Sequence, residues 1–257
     1  MLAQVALVVG LLPAALGLNI LFPAYFCGDG NDCFTQSCAQ YDPIVSQAQA
    51  HPNVDFYTII NPDNGPLSTS DLYPNYATCI PELKNAGTNS FVLGYVSTKN
   101  GNRAVSDVEA DIDTYASWST SYRPTGIFFD EVPDGAKKVS QYASYATYAR
   151  DAGFNFIVFN PGTTANSGYF SPADLVVTFE DLYSSFATSD LSITSSTPAA
   201  KQAVILYNGP STAPASLISQ LGSLGIGAVF ITDDTLPNPY DTVPTIWANE
   251  AADVAAA

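Results

Sequence analysis

Three carboxylates stand out in this sequence because each follows an apolar run without a break. Asp130 and Glu131 close Gly126-Ile-Phe-Phe-Asp-Glu131, and Glu180 closes Leu175-Val-Val-Thr-Phe-Glu180. A carboxylate at the end of a buried strand is costly unless it faces a polar cleft. Two carboxylates from different strands, opposed across a groove, are what glycoside hydrolysis requires: one gives or removes a proton at the glycosidic oxygen, and the other attacks or activates water. Successive strand residues point to opposite faces, so Asp130 and Glu131 both reach a ligand only if the strand has already ended or kinked there. Metal-binding sugar enzymes also use carboxylates in such places, so the constellation alone leaves that reading open.

The rest of the polar chemistry narrows the field. Lys plus Arg number 8 against 24 Asp plus Glu, a net charge of −16. That deficit of cations argues against nucleic-acid binding, which needs clustered Lys and Arg. His51 is the single histidine, so a two- or three-histidine zinc site is impossible within one chain, and a Ser-His-Asp triad has one candidate base. Neither a metal nor a cofactor is expected. Asp181 and Asp234 read better as caps than as catalysts. The Asn-Pro and Asn-Gly pairs after several strands are ordinary turn chemistry, and Trp118, at a helical position, reads as core.

The elements that must position these residues are short apolar runs at Asn19–Tyr25, Val54–Ile60, Ser90–Val96, Thr125–Asp130, Asn155–Asn160, Asp174–Phe179, Gln202–Tyr207 and Gly227–Thr232. Between them lie stripes of helical period: Tyr73, Tyr76, Ile80 and Leu83, stopped by Gly87; Val105, Val108, Ile112 and Tyr115; Val139, Tyr142, Ala146 and Ala149, ended near Gly153; and Leu217, Leu221 and Leu224, ended by Gly225. Nearly continuous apolar strands alternating with helices predict a parallel sheet covered on both faces. Eight such units in a chain of this length match a single-domain (β/α)8 barrel, whose active site forms at the C-terminal ends of the strands. The competing open doubly wound sheet lacks any glycine-rich phosphate loop after a strand.

The N-terminal Met1–Gly17 stretch is apolar, uncharged and short for a membrane span, which predicts a secretory leader removed after Gly17 and a barrel domain over 18–257. The mature protein is expected to be extracellular or at the cell surface, monomeric and without membrane attachment. Four cysteines in a secreted chain predict two disulfides. Of the three pairings, Cys27–Cys33 closing a local loop and Cys38–Cys79 tying two neighbouring elements is the favoured one.

The motifs resemble those of the spherulin-4 family, widespread in fungi. The matching pieces are Phe22-Pro-Ala-Tyr25, Ile59-Ile-Asn-Pro-Asp-Asn-Gly-Pro66, Leu93-Gly-Tyr-Val-Ser-Thr98, Asp111-Ile-Asp-Thr-Tyr115 with Trp118, and Gly126-Ile-Phe-Phe-Asp-Glu131. The resemblance implies a (β/α)8 glycoside hydrolase acting on α-1,4-linked N-acetylgalactosamine stretches of galactosaminogalactan, with functional carboxylates at Asp130, Glu131 and Glu180. On that basis Asp130 is expected as nucleophile and Glu180 as acid/base, with Glu131 orienting substrate or tuning a neighbour's pKa. Tyr25, Asn61, Tyr95, Asn160 and Tyr207 are the candidates for lining sugar subsites, since their hydroxyls, amides and ring faces suit a pyranose. The Cys27–Cys38 insertion after the first strand departs from shorter relatives. A non-catalytic glycan-binding surface or spore-coat protein on the same barrel, and a hydrolase of another α-linked cell-wall glycan, are the alternatives.

Overall fold

The computed structural model describes residues 17–30 and 32–257. The leader expected over residues 1–17 therefore lies, but for Gly17, outside the described residues. Eight strands form a closed parallel barrel in sequence order: β1 (Asn19–Ala24), β2 (Phe56–Ile60), β3 (Ser90–Ser97), β4 (Gly126–Asp130), β5 (Phe156–Phe159), β6 (Leu175–Leu182), β7 (Gln202–Tyr207) and β8 (Ala228–Ile231). Among the described residues six α-helices flank it: α1 (Asp42–Ala50), α2 (Pro74–Lys84), α3 (Val105–Ser117), α4 (Val139–Asp151), α5 (Ala215–Leu224) and α6 (Trp247–Ala256). Short 3-10 turns stand in place of α-helices after β5 and β6. The barrel and the four striped helices agree with the sequence pattern. Helices α1 and α6 were not legible from it.

The core has two layers. Inside the barrel, the register β2–β3–β4–β5 sets Tyr57 beside Phe91, Leu93 beside Gly126, Tyr95 beside Phe128 and Phe128 beside Val158. Tyr57 stacks on both Phe91 and Phe156 at 5.3 and 4.3 Å between centroids, closing the bottom of the barrel with aromatic surface. Outside, the apolar helix stripes cover the strands. Tyr115 of α3 lies so close to Gly94 of β3 that a Cβ there would come within 2.7 Å of its ring. Trp118 is buried and donates its indole N–H to the Leu67 carbonyl, so it belongs to the core.

Two irregularities matter for the site. β6 carries a bulge between Val177 and Phe179, where its register against β7 shifts by one residue. At the other seam, β1 pairs with β8 only at Asn19–Ala228 and Ile20–Val229. Beyond that point Glu250 of α6, fully buried, accepts the Ile231 N–H at 2.7 Å in place of a strand carbonyl. Both expected disulfides are formed, Cys27–Cys33 and Cys38–Cys79.

Candidate active site

The residues in register with Tyr95 form the row that faces the barrel interior. Following it across the pairs leads from Ser97 to Asp130, from Phe128 to Val158 and from Val158 to Leu175. Strict alternation along β6 would then turn Leu175, Val177, Phe179 and Asp181 inward. The bulge makes Thr178 the extra residue, so Val177 opposes Ala203 and Glu180 opposes Ile205, two residues of one parity. Glu180 thereby takes the interior position that alternation assigns to its neighbours. Such bulges commonly re-aim a side chain beside an active site.

Inside the mouth the carboxylates meet through one amide. Asn160, just past β5, directs its Nδ2 to Asp130 Oδ1 at 2.8 Å and to Glu180 Oε2 at 2.6 Å. The reverse amide orientation would set a carbonyl oxygen against two carboxyl groups, so the nitrogen faces them. The other oxygens are also held: Tyr95 donates to Asp130 Oδ2 at 2.6 Å, and Tyr240 donates to Glu180 Oε1 at 2.7 Å. Burial raises the Asp130 carboxyl above its ordinary value, while hydrogen bonds from Tyr95, the Glu131 backbone and Asn160 oppose that rise. Burial, then the neighbouring Asp130 charge, raises Glu180, with Asn160 and Tyr240 opposing. Burial beside these acids pushes the Tyr25, Tyr95 and Tyr240 hydroxyls upward, keeping them neutral donors.

Glu131 goes elsewhere. The strand ends at Asp130, and Glu131 adopts a left-handed backbone, φ 55°. Its carbonyl accepts from Asn100 N–H and Thr98 Oγ1, and its Oε2 accepts from Ser97 Oγ at 2.5 Å and Lys99 N–H at 3.1 Å. The side chain is exposed and clamps the β3–α3 loop through Oε2; its partners Ser97 and Lys99 line, with Asp63, a polar pocket of about 270 Å³.

Four of the five candidate lining residues stand at this mouth. Tyr25 packs edge-on against Tyr95 and Tyr240, each with centroids 5.5 Å apart. Tyr207 lines, with Tyr25 and Glu180, a cleft of about 670 Å³, and its hydroxyl reaches Asp181 at 3.0 Å. Asn61 is used differently: its Oδ1 accepts the Gly65 N–H at 3.0 Å, closing the turn after β2.

The fourth wall of the cleft, Leu236–Asp241 of the β8–α6 loop, went unread in the sequence, Tyr240 included. A tyrosine inside a Pro-rich loop, far from any strand end, carries no periodic signal. Its loop is nonetheless well anchored. Asp234 accepts from Thr242 at 2.9 Å, Asp233 accepts from the Thr245 backbone and hydroxyl, and Tyr25 N–H donates to the Tyr240 carbonyl at 3.0 Å. Asp234 thus ties a loop rather than a helix, and Asp181 accepts from the N–H of its neighbour Leu182. His51 caps the C-terminal end of α1, at the face of the barrel opposite the site. Among the described residues no cluster of three or more His, Cys, Asp or Glu is arranged to hold a metal ion.

Residues 19–254 match a known family, Spherulin4, described as spherulation-specific family 4. Spherulin-4 of Physarum polycephalum is 32% identical over 227 residues, covering 84% of this chain and 66% of that protein, so the chain spans just under two thirds of that relative. The crystal structure of Aspergillus clavatus Sph3 in complex with GalNAc superposes with a TM-score of 0.74 at 25% identity, covering 93% of this chain and 98% of the other. A chitinase from Bacteroides thetaiotaomicron superposes with a TM-score of 0.56 at 8% identity over 92% and 96% of the two chains, a likeness of fold alone.

Proposed function

The chain belongs to spherulation-specific family 4, and from that membership and the geometry of its barrel mouth we propose that it is a glycoside hydrolase. The likeness to Sph3 with its bound GalNAc supports a glycan-binding or glycosidase function. The observation that carries the catalytic reading is the shared amide. With both carboxylates bonded to one nitrogen, Asp130 Oδ1 and Glu180 Oε2 lie no farther apart than 2.8 Å and 2.6 Å laid end to end, 5.4 Å. Double-displacement glycosidases space their carboxyl groups about 5–5.5 Å apart, whereas inverting ones leave roughly 6.5–9.5 Å for a water.

In this reading Asp130 is the nucleophile. Three donors surround it and favour its ionised form, so it attacks the anomeric carbon and forms a glycosyl ester. Glu180 delivers its proton to the departing glycosidic oxygen. As a carboxylate it then takes a proton from the water that attacks the anomeric carbon and releases Asp130. Burial and the Asp130 charge keep Glu180 protonated to a higher pH than an ordinary glutamate, which suits an acid catalyst. Glu131, anchored through Oε2, offers Oε1 to a sugar hydroxyl or amine. Tyr25, Tyr95, Asn160 and Tyr207 line the reacting subsite, and Tyr240 positions Glu180.

The proposed substrate is an α-1,4-linked N-acetylgalactosamine polymer of the galactosaminogalactan type, in keeping with the GalNAc held by Sph3. The protein is proposed to act outside the cell as a single barrel domain, after removal of a leader that N-terminal sequencing of the secreted form would locate. The test is oligosaccharide release from partially deacetylated galactosaminogalactan by the wild type, Asp130→Asn and Glu180→Gln. Release by the wild type alone supports a hydrolase. Binding without release by the wild type would favour a glycan-binding coat protein, and release only from other glycans in a panel would move the substrate.

A further inference from the structure

The β1–α1 loop presents an aromatic group that the cleft chemistry leaves unused. Phe34 is 74% exposed, and its ring meets Tyr73 edge-on, with centroids 5.1 Å apart and planes at 73°. Tyr73 in turn lies against buried Tyr76, at 6.5 Å. Exposing a phenyl ring forfeits the free energy of burying it, so a loop free to move would fold the ring onto the protein.

Residues 32–38 of this loop are tied to the barrel's first two β/α units. The Cys27–Cys33 and Cys38–Cys79 bonds pin it at both ends, the second to α2. Fully buried Asn75 stitches its middle: Oδ1 accepts from Gly28 N–H, Nδ2 donates to the Ser37 carbonyl at 2.5 Å, and its backbone N–H donates to the Cys33 carbonyl at 3.3 Å. Thr35 Oγ1 adds a bond to Asp29 at 2.6 Å. Phe34 is therefore held out in water by covalent and hydrogen-bonded struts, a preorganised contact whose ordering cost is met during folding rather than binding.

Its place and its surroundings select the occupant. The loop leaves the C-terminal end of β1, on the face that carries the carboxylates. The Cα atoms of Cys27 and Cys33 are 5.4 Å apart, so chain connectivity keeps the Phe34 Cα within about 17 Å of that of Tyr25 in the cleft. Residues 18–83 contain no Lys or Arg, which disfavours an anionic membrane surface or a nucleic-acid backbone. A single aromatic pair is also far smaller than a stable protein interface. An exposed ring beside the hydroxyls and carboxylates of Thr35, Asp29 and Asp32 matches a pyranose, with its apolar C–H face and its polar rim.

We propose that Phe34, backed by Tyr73, is an aromatic platform for a sugar ring of the glycan distal to the scissile bond, extending the cleft past Tyr25. The proposal rests on the glycan reading of the site. Phe34→Ala should raise KM on the galactosaminogalactan polymer roughly two- to tenfold, with kcat, the melting temperature and KM on the shortest cleaved oligosaccharides unchanged. Phe34→Trp should restore the polymer KM. Affinity of the Glu180→Gln protein for the polymer, with and without Phe34→Ala, reads the platform with turnover strongly slowed. A loss of affinity supports it even if the wild type does not cut, and that result would overturn the hydrolase reading alone. An unchanged polymer KM and affinity in Phe34→Ala, an equal loss on short and long substrates, or a change of oligomeric state instead would overturn the platform while leaving the hydrolase standing. No binding of the polymer by Glu180→Gln, in a setting where the wild type also fails to cut, would overturn both.

Discussion

Asp130 and Glu180, from strands two apart in the barrel, are both bonded to the side-chain nitrogen of Asn160, at 2.8 and 2.6 Å. One amide therefore sets the spacing of the pair and supplies a donor to each. Neither group relies on a cation, and the carboxyls are each completed by a tyrosine, Tyr95 on Asp130 and Tyr240 on Glu180. Neutral donors can hold a carboxylate in place without committing it to permanent ionisation, as an arginine would.

Under the proposed hydrolase mechanism, removing either carboxylate should separate their roles. Glu180→Gln is expected to lower kcat on the polymer by about 10²–10⁴-fold, the usual contribution of a general acid/base. Asp130→Gly should be inactive with water, and added azide should restore turnover to give a glycosyl azide of inverted anomeric configuration, read by NMR. A product of retained configuration would contradict the assignment of Asp130 as nucleophile.

Asn160→Leu removes both donors at once while leaving an isosteric apolar side chain. Its expected result is a fall in kcat well beyond any change in KM, with a higher pH needed to ionise Asp130, because a hydrogen bond that favours the charged form has gone. A pH–rate profile superposable on that of the wild type would show that the amide is only a spacer.

Glu131 should behave unlike Asp130. Glu131→Gln keeps an oxygen for Ser97 and Lys99 but loses the free carboxylate charge, so KM is expected to rise more than kcat falls. Glu131→Ala also releases the β3–α3 loop clamp and should lower the melting temperature as well. Steady-state kinetics beside thermal melts would separate the two effects.

Glu250 gives stability an acid-side dependence. Burial raises its carboxyl well above the ordinary glutamate value of 4.5, with the Ile231 N–H opposing. A group raised on folding binds its proton more tightly in the folded state. Its stabilising contribution is full below pH 4.5 and is lost as pH rises through the higher folded value. The melting temperature of the wild type should therefore fall across that interval, and Glu250→Gln should flatten the profile, gaining on the wild type as pH rises. Parallel profiles for the two proteins would refute this.

The two disulfides should differ in worth. Cys38–Cys79 closes a separation of 41 residues and Cys27–Cys33 one of 6. By loop entropy, removing the first costs about 4 kcal/mol and the second about 2 kcal/mol. Denaturant titration of the paired Cys→Ser variants measures both.

Much of this protein is written locally in its chain. Eight apolar runs with helical stripes between them read as a parallel sheet covered on both faces, and their number in a chain of this length matches the barrel. The same local logic marks Asp130 and Glu180, which at the ends of apolar strands need a polar cleft or hydrogen-bond partners. What a linear reading could not decide was direction and partnership. Alternation along β6 points Asp181 inward, and only the bulge at Thr178, a product of pairing with β7, exchanges it for Glu180. Glu131 follows Asp130 in sequence yet turns away, because the β3–α3 loop captures its carboxylate at a left-handed residue. Asn61 looked equivalent to Asn160, but one closes a turn while the other bridges two acids. Tyr240 reaches Glu180 across 60 positions of chain. Sequence determines which residues can be buried and how strands repeat, because those depend on composition and period. Register shifts and hydrogen bonds between distant segments depend on which strands and loops become neighbours, and only the closed barrel decides that.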